Sequence, residues 1–366
     1  MLERFQVPVE DRVYVKEAKA REATEKVFLK MGLSKADAQL SADVLIYADI
    51  NGVDTHGVSN MLRAYVQNYN KGEMNPRPKP KITHDFGAVA TMDGDRGLGL
   101  HLAPKCMDMA IAKADKYGVG SVCLLNAGHI GALGYFARQA AAKDMVGMVM
   151  NGGGGFAMVP TWGAEPRFGT NPFAWAAPTR KQPVFCLDVA TTQVAGNKIS
   201  LLQRMDHHIM PNWLTTPDGA PIDHEAEVPK VALRGDNRAW FMLPFGGTRE
   251  NGSHKGYGLA CVVDIMGPIL SGNGPGFLTN KGGSNFTAWK ISAFADLDKF
   301  KDDMDAFLDG LAKTKPAPGH DRVFYAGLPE HEEKQRRQKD GIPYHKEVVD
   351  WFHTISNELN LGIKLP

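Results

Sequence analysis

The run Asn75-Pro76-Arg77-Pro78-Lys79-Pro80 constrains this chain more than any other feature. Three prolines at alternate positions fix φ and remove backbone donors, so a helix cannot continue through them and the run reads as an extended connector. It separates two textures. Before it, residues 15–70 have a helical pattern. Residues 17–31 are rich in Ala, Glu and Lys and stop at Gly32. Ser34 is a natural N-cap for a second helix, whose Leu40, Val44, Tyr47 and Ala48 share a face and which Asn51-Gly52 ends. A third helix is predicted over 59–70.

After the connector, strands and helices alternate. Strands are predicted at 88–92, 121–125 and 146–150, with helices at 102–117 (closed by Gly118) and 132–143. This is an α/β pattern. The chain is then rich in Gly and Pro to Pro178, followed by a strand at 184–189 and a long helix at 256–270. Charged helices return over 302–366, including 330–339 and 346–360, where the charges read as a solvated face. A length of 366 residues suits about two domains at roughly 150 residues each.

Composition narrows the function. Lys+Arg number 42 against 41 Asp+Glu, a net charge of +1, which leaves no cation surplus for a phosphate backbone or a membrane surface. Cys106, Cys123, Cys186 and Cys261 are far apart and form no C-x-x-C, so they read as reduced thiols. No apolar run reaches about 18 residues; the best candidate, 259–270, contains Asp264. The start Met1-Leu2-Glu3-Arg4 has no apolar signal core. A soluble cytoplasmic protein is expected.

Several signatures are missing. A Rossmann turn needs G-x-G-x-x-G between strand and helix. Gly97-Leu98-Gly99 has Leu102 in place of the third glycine, and Gly152-Gly153-Gly154-Gly155 is followed by Phe156-Ala157. There is no G-x-x-x-x-G-K-[ST], H-E-x-x-H or G-x-S-x-G. His207-His208 lacks a further ligand at metal-binding spacing and reads as a surface pair, so no metal site is expected.

Four segments carry chemistry. Asn126-Ala127-Gly128-His129-Ile130-Gly131 follows a buried strand and is expected to open a helix, whose N-terminus would keep His129 neutral and able to exchange a proton. The competing reading is a capping histidine in a tight turn. His254-Lys255-Gly256-Tyr257-Gly258 heads the long helix. A cation there opposes the helix dipole, so either an anion such as a nucleotide phosphate sits between Lys255 and the amides, or the lysine is simply solvated. Asp188, in Leu187-Asp188-Val189-Ala190-Thr191-Thr192, could accept hydrogen bonds from a ribose or orient a histidine. Asp54-Thr55-His56-Gly57-Val58 lies between two helices, where a histidine is more often structural unless it faces His129.

Together these segments resemble the malate/L-lactate dehydrogenase family, which is distinct from the Rossmann-type lactate and malate enzymes. It includes ureidoglycolate, sulfolactate and diketogulonate dehydrogenases and cyclic imino-acid reductases. The likeness runs through Asp54-Thr55-His56-Gly57-Val58, Gly128-His129-Ile130-Gly131, Gly169-Thr170-Asn171-Pro172, Leu187-Asp188-Val189-Ala190-Thr191, Lys255-Gly256-Tyr257-Gly258, Pro318-Gly319 and Tyr325-Ala326-Gly327.

The resemblance implies a homodimer of α/β class. A helical domain would be built from both chain ends (1–80 with 302–366), and a non-Rossmann mixed-sheet domain (81–301) would bind a nicotinamide dinucleotide, NAD or NADP. Its implied activity is hydride transfer between nicotinamide and a 2-hydroxy acid or 2-keto acid. His129 matches the family's proton donor/acceptor, His56 a second histidine given that role, and Asp188 joins them as a catalytic candidate. Asn151, Asp188, Val189, Ala190, His254, Lys255, Gly327, Leu328 and Pro329 fall around the implied cofactor, and His56, Asn60, Arg63 and Thr170 around the small-molecule substrate.

There is one departure from the family pattern. Four residues after the turn histidine, relatives carry an arginine suited to a substrate carboxylate; here Asn60 stands there, and Arg63 lies on nearly the same helical face. Residues 225–253 are also long beside relatives and are expected to shape the pocket entrance. The alternatives are a cyclic imino-acid reductase and an inactive homologue kept as a binding protein.

Overall fold

A computed structural model of the chain describes residues 5–228 and 240–366. The opening Met1-Leu2-Glu3-Arg4 and residues 229–239, the middle of the long 225–253 segment, lie outside the described residues.

The first helices follow their local signals. Strand β1 (Arg12–Val15) leads into α1 (Glu17–Lys30) and α2 (Lys35–Ile50). The Ser34 hydroxyl accepts the Asp37 N–H at 3.1 Å, satisfying a donor that no helical carbonyl reaches. A single 3-10 turn, Asp54–His56, and then Gly57 precede α3 (Val58–Asn70), which buries Val58, Met61, Leu62, Tyr65 and Val66. Residues 76–80 carry neither helix nor strand, as the prolines demand.

The alternating region forms β2 (Lys81–Phe86), β3 (Val89–Asp93), α4 (Gly99–Tyr117), β4 (Val119–Leu125), α5 (Gly134–Ala141), β5 (Met145–Gly152), β6 (Phe173–Ala177) and β7 (Phe185–Val189). Helix α6 (Gly196–Arg204) follows. Two short ladders come next, β8 (His208–Ile209) with β10 (Ala226–Glu227) and β9 (Leu214–Thr215) with β11 (Phe241–Met242). Helix α7 (Ser253–Asp264) widens into a π-helical stretch, Ile265–Ile269, that contains Pro268. The remaining elements are α8 (Gly276–Thr279), β12 (Gly283–Lys290), α9 (Leu297–Ala312), α10 (Leu328–Asp340), β13 (Ile342–His345) and α11 (Lys346–Leu359).

Seven strands make a mixed sheet in the order β2-β3-β4-β12-β5-β6-β7. Only β3 and β4 are parallel neighbours; every other adjacent pair is antiparallel. Strand β12 is central yet was not expected from the sequence, because Gly283-Ser284-Asn285-Phe286-Thr287 lacks an apolar alternation. Its polar side chains are buried in pairs instead: Ser284 Oγ donates to Asn151 Oδ1 at 2.7 Å and Asn285 Nδ2 to Ser121 Oγ at 3.0 Å.

This order positions the site. Gly283 pairs with both Leu125 and Gly152, so β4 and β5 flank β12, run in the same direction and end side by side. The loops leaving those ends, 126–133 and 153–155, emerge together at the carboxyl edge, where open sheets present ligand sites. The two ends of the chain also meet: β1 pairs antiparallel with β13, Val15 opposite Ile342. Asp305 on α9 accepts the N–H groups of Arg180, Lys181 and Gln182, tying that helix to the β6–β7 turn. One hydrophobic cluster runs from Phe28 and Tyr65 through Leu100 and Phe136 to Phe286 and Phe352.

Candidate active site

A cavity of about 1300 Å³ opens at the carboxyl edge, between the sheet and the turn joining α2 to α3. It is lined by His56, Asn60, Tyr65, His129, Asn151, Thr170, Asp188, Val189, Ala190 and Pro329. This exceeds the ~300–1,000 Å³ common for drug-sized ligands and has room for a dinucleotide beside a small acid.

His56 and His129 face each other, with ring centroids 5.7 Å apart and planes 18° from parallel. On the His129 side, the helix predicted over 132–143 forms, but it starts too late to bring its N-terminus to the histidine. Gly131 adopts φ +80°, which ends any helical run, and α5 starts only at Gly134. His129 is therefore set by contacts rather than by a helix dipole. Its Nδ1 lies 2.7 Å from the Tyr65 hydroxyl and accepts the Gly131 N–H at 3.3 Å. Sequence reasoning passed over Tyr65, although a tyrosine on the buried face of α3 needs a partner for its hydroxyl.

The α5 N-terminus is taken by Asp188 instead, whose Oδ2 accepts the Gly134 N–H at 2.7 Å. Asp188 is exposed at the cavity wall, with protein packed behind its carboxyl. Desolvation pushes its pKa up to about 6, with the charge on Glu330 adding to the rise and the Gly134 N–H opposing it. Of the two roles open to Asp188, orienting the histidine falls to Tyr65 in this structure.

His56 stands on a buried scaffold. Asp49 Oδ2 accepts the Val58 N–H at 3.1 Å and the Tyr344 hydroxyl at 2.6 Å. Gly57 packs so closely on this carboxyl that a Cβ there would overlap it. Arg337 donates to Asp54 through both terminal nitrogens (2.5 and 3.0 Å), to the Asp49 carbonyl (2.6 Å) and to Glu333 (2.5 Å). Burial lifts the Asp49 carboxyl to about 7 and pulls the His56 imidazole down to about 4, so His56 is neutral near pH 7.

The third wall is the glycine loop rejected as a Rossmann turn. Gly153, Gly154 and Gly155 all have positive φ and line the cavity. Asp264, noticed in the sequence only as a break in an apolar run, organises this wall: its Oδ1 accepts the Gly153 N–H at 3.2 Å and the Asn171 amide at 2.7 Å.

The other sequence candidates divide. Gly327 packs against β7, where the Cys186 N–H meets the Ala326 carbonyl at 3.0 Å, and Leu328 is half-buried and does not line the cavity. His254, Lys255 and Arg63 are exposed and do not line the cavity of the single chain. The Asn60 amide donates to the Asp54 carbonyl at 2.6 Å, so Arg63 does not take the place that Asn60 vacates. His207 and His208 are exposed.

A mixed sheet with two stacked histidines at its carboxyl edge and no Rossmann turn defines a narrow class of α/β protein, and comparisons with known proteins agree. Residues 15–352 match the malate/L-lactate dehydrogenase family, and the chain belongs to it. It is 35% identical to a malate dehydrogenase of Pyrococcus abyssi over 347 residues, covering 93% of this chain and 92% of that one. It is 34% identical to an L-sulfolactate dehydrogenase of Methanocaldococcus jannaschii, covering 92% and 95%. The crystal structure of malate dehydrogenase from Entamoeba histolytica superposes with a TM-score of 0.91 at 31% identity, over 97% of this chain and 99% of that one. Among the described residues, no helix is long and apolar enough to cross a membrane.

Proposed function

We propose that this chain is an NAD(P)-dependent oxidoreductase that moves a hydride between nicotinamide and a small 2-hydroxy acid or its 2-keto form, with His129 handling the proton. The observation that supports this most directly is the His56–His129 stack, with Tyr65 on His129 Nδ1, inside a cavity of dinucleotide size.

The residues present fit a dinucleotide. Gly154 and Gly155 leave open space where side chains would stand, and the buried Asn171 Oδ1 has no hydrogen-bond partner among the described residues. Asn151, the glycine loop, Asp188 to Ala190 and Pro329 would hold it. When bound, the nicotinamide supplies the hydride chemistry.

The chain's own groups supply proton transfer and electrostatics. A tyrosine hydroxyl both donates and accepts. When His129 Nδ1–H donates to Tyr65, giving up the bond from the Gly131 N–H, Nε2 carries the lone pair that takes the substrate hydroxyl proton in oxidation. The imidazolium so formed, its Nδ1–H still donating to Tyr65, returns the Nε2 proton in reduction and goes back to the neutral ring. Neutral His56 beside it adds no charge to oppose protonation of His129.

A homodimer belongs to the same proposal. Leu259, Val262, Ile265 and Ile269 form an exposed apolar stripe along α7 and its π-helical extension, suited to a second copy. Initial rates with malate, lactate and sulfolactate against NAD and NADP, read at the reduced-nicotinamide absorbance, test the activity. No turnover with any pair sinks it. Sedimentation equilibrium tests the dimer, and a monomer at micromolar concentration sinks that part.

A further inference from the structure

Among the described residues, the cavity lining contains two side chains of the lysine and arginine type, Arg138 and Lys198. Arg138 lies among Tyr47, Cys186 and Glu330, all of which act on its charge, although its Nε has no hydrogen-bond partner among the described residues. No such group acts on Lys198. It sits on α6 beside Asn197, whose Nδ2 donates to the Thr55 carbonyl at 2.5 Å and so holds this turn against the His56 turn. Its ammonium lies 4.8 Å from the centroid of the Phe5 ring, and Phe5 is itself stacked on Trp213 at 6.0 Å. The ring supports the cation from behind without supplying a negative charge. Lys198 makes no ion pair with a described residue, and desolvation is the sole influence resolved on its pKa, which it lowers. A half-buried ammonium with no counter-charge carries a solvation cost that a bound anion relieves.

The opposite side of the His56 turn offers no rival. Asn60 is turned to the Asp54 carbonyl, and Arg63 lies outside the cavity. We propose that Lys198 is the specificity-determining cation, binding the carboxylate or sulfonate of the substrate while His129 addresses the neighbouring hydroxyl or keto oxygen. This rests on the 2-hydroxy-acid reading above.

The test uses oxalate as an anionic probe, titrated calorimetrically into the full chain saturated with NADH, together with the steady-state kinetics of pyruvate and oxaloacetate reduction. Lys198→Met is expected to weaken oxalate and raise the keto-acid KM by about 30-fold or more, the effect of leaving a charge unpaired. NADH affinity should stay within about twofold, and Lys198→Arg should recover most of the loss. Equal oxalate affinity in wild type and Lys198→Met, or no oxalate binding by wild type, overturns the assignment of Lys198. Absence of nicotinamide-dependent turnover by wild type overturns the oxidoreductase reading instead, whatever the oxalate result.

Discussion

His56 and His129 stack across one cavity, yet one stands on a buried ionic network tied to both ends of the chain and the other on a glycine-containing loop. Behind His56, Asp49, Asp54, Arg337 and Tyr344 leave the turn little freedom. His129 is held at one ring nitrogen by a hydroxyl that can reverse its hydrogen bond. A group that changes protonation in each turnover gains from a reversible partner. A group that shapes a wall gains from a fixed one. Under the proposed function, this contrast favours proton transfer at His129 and positioning at His56.

The largest expected effect separates the two rings. His129→Ala should lower kcat by ~10²–10⁴-fold, the usual worth of a general acid–base, while NADH binding measured by fluorescence titration is unchanged. His56→Ala should cost less in kcat and more in KM. Equal losses in kcat would remove the distinction. Next comes the scaffold: Arg337→Ala leaves Asp54 and Glu333 without their cation and should cost about 3–5 kcal/mol in urea unfolding. A cost below about 1 kcal/mol would mean that the network does not brace the turn.

A smaller effect is expected at Tyr65→Phe, which removes one hydrogen bond worth about 1 kcal/mol and should lower kcat roughly fivefold while changing the pH dependence of kcat. The smallest is a pH effect. Burial holds the His56 pKa near 4, below its ordinary 6.5, so between those values the unfolded chain binds the proton that the folded chain refuses. The His56 contribution to stability is therefore complete above about pH 6.5 and declines as pH falls toward 4. Asp188, raised to about 6, works in the opposite sense over an overlapping range. Imidazole NMR resonances of His56 titrating near 6.5 would show that the burial argument is wrong.

What the sequence disclosed depended on distance along the chain. The Ser34 cap, the proline connector and the two histidine turns are local signals and were legible as such. Strand β12 was not, because Ser284 and Asn285 look like loop residues until Asn151 and Ser121 are brought against them. Tyr65 meets a histidine 64 positions away, and Asp264 meets Gly153 across 111. The helix predicted over 132–143 is present at Gly134–Ala141, but His129 stands outside its N-terminus for a local reason: Gly131 bends the backbone between them.

Arg337 meets the Asp49 carbonyl across 288 positions, and this has a consequence for biosynthesis. At ~5–20 residues per second, the ribosome needs roughly 15 to 60 s between making the first residue and the second. Throughout that interval the Asp49 carbonyl lacks the guanidinium and the Asp49 carboxyl lacks the Tyr344 phenol. Helices α2 and α3 can form early, but the wall carrying His56 sets only when the late-made segment arrives. Ribosome-bound intermediates of this protein should therefore be helical before they are competent, and translation slowed between these two residues would prolong a protease-sensitive stage.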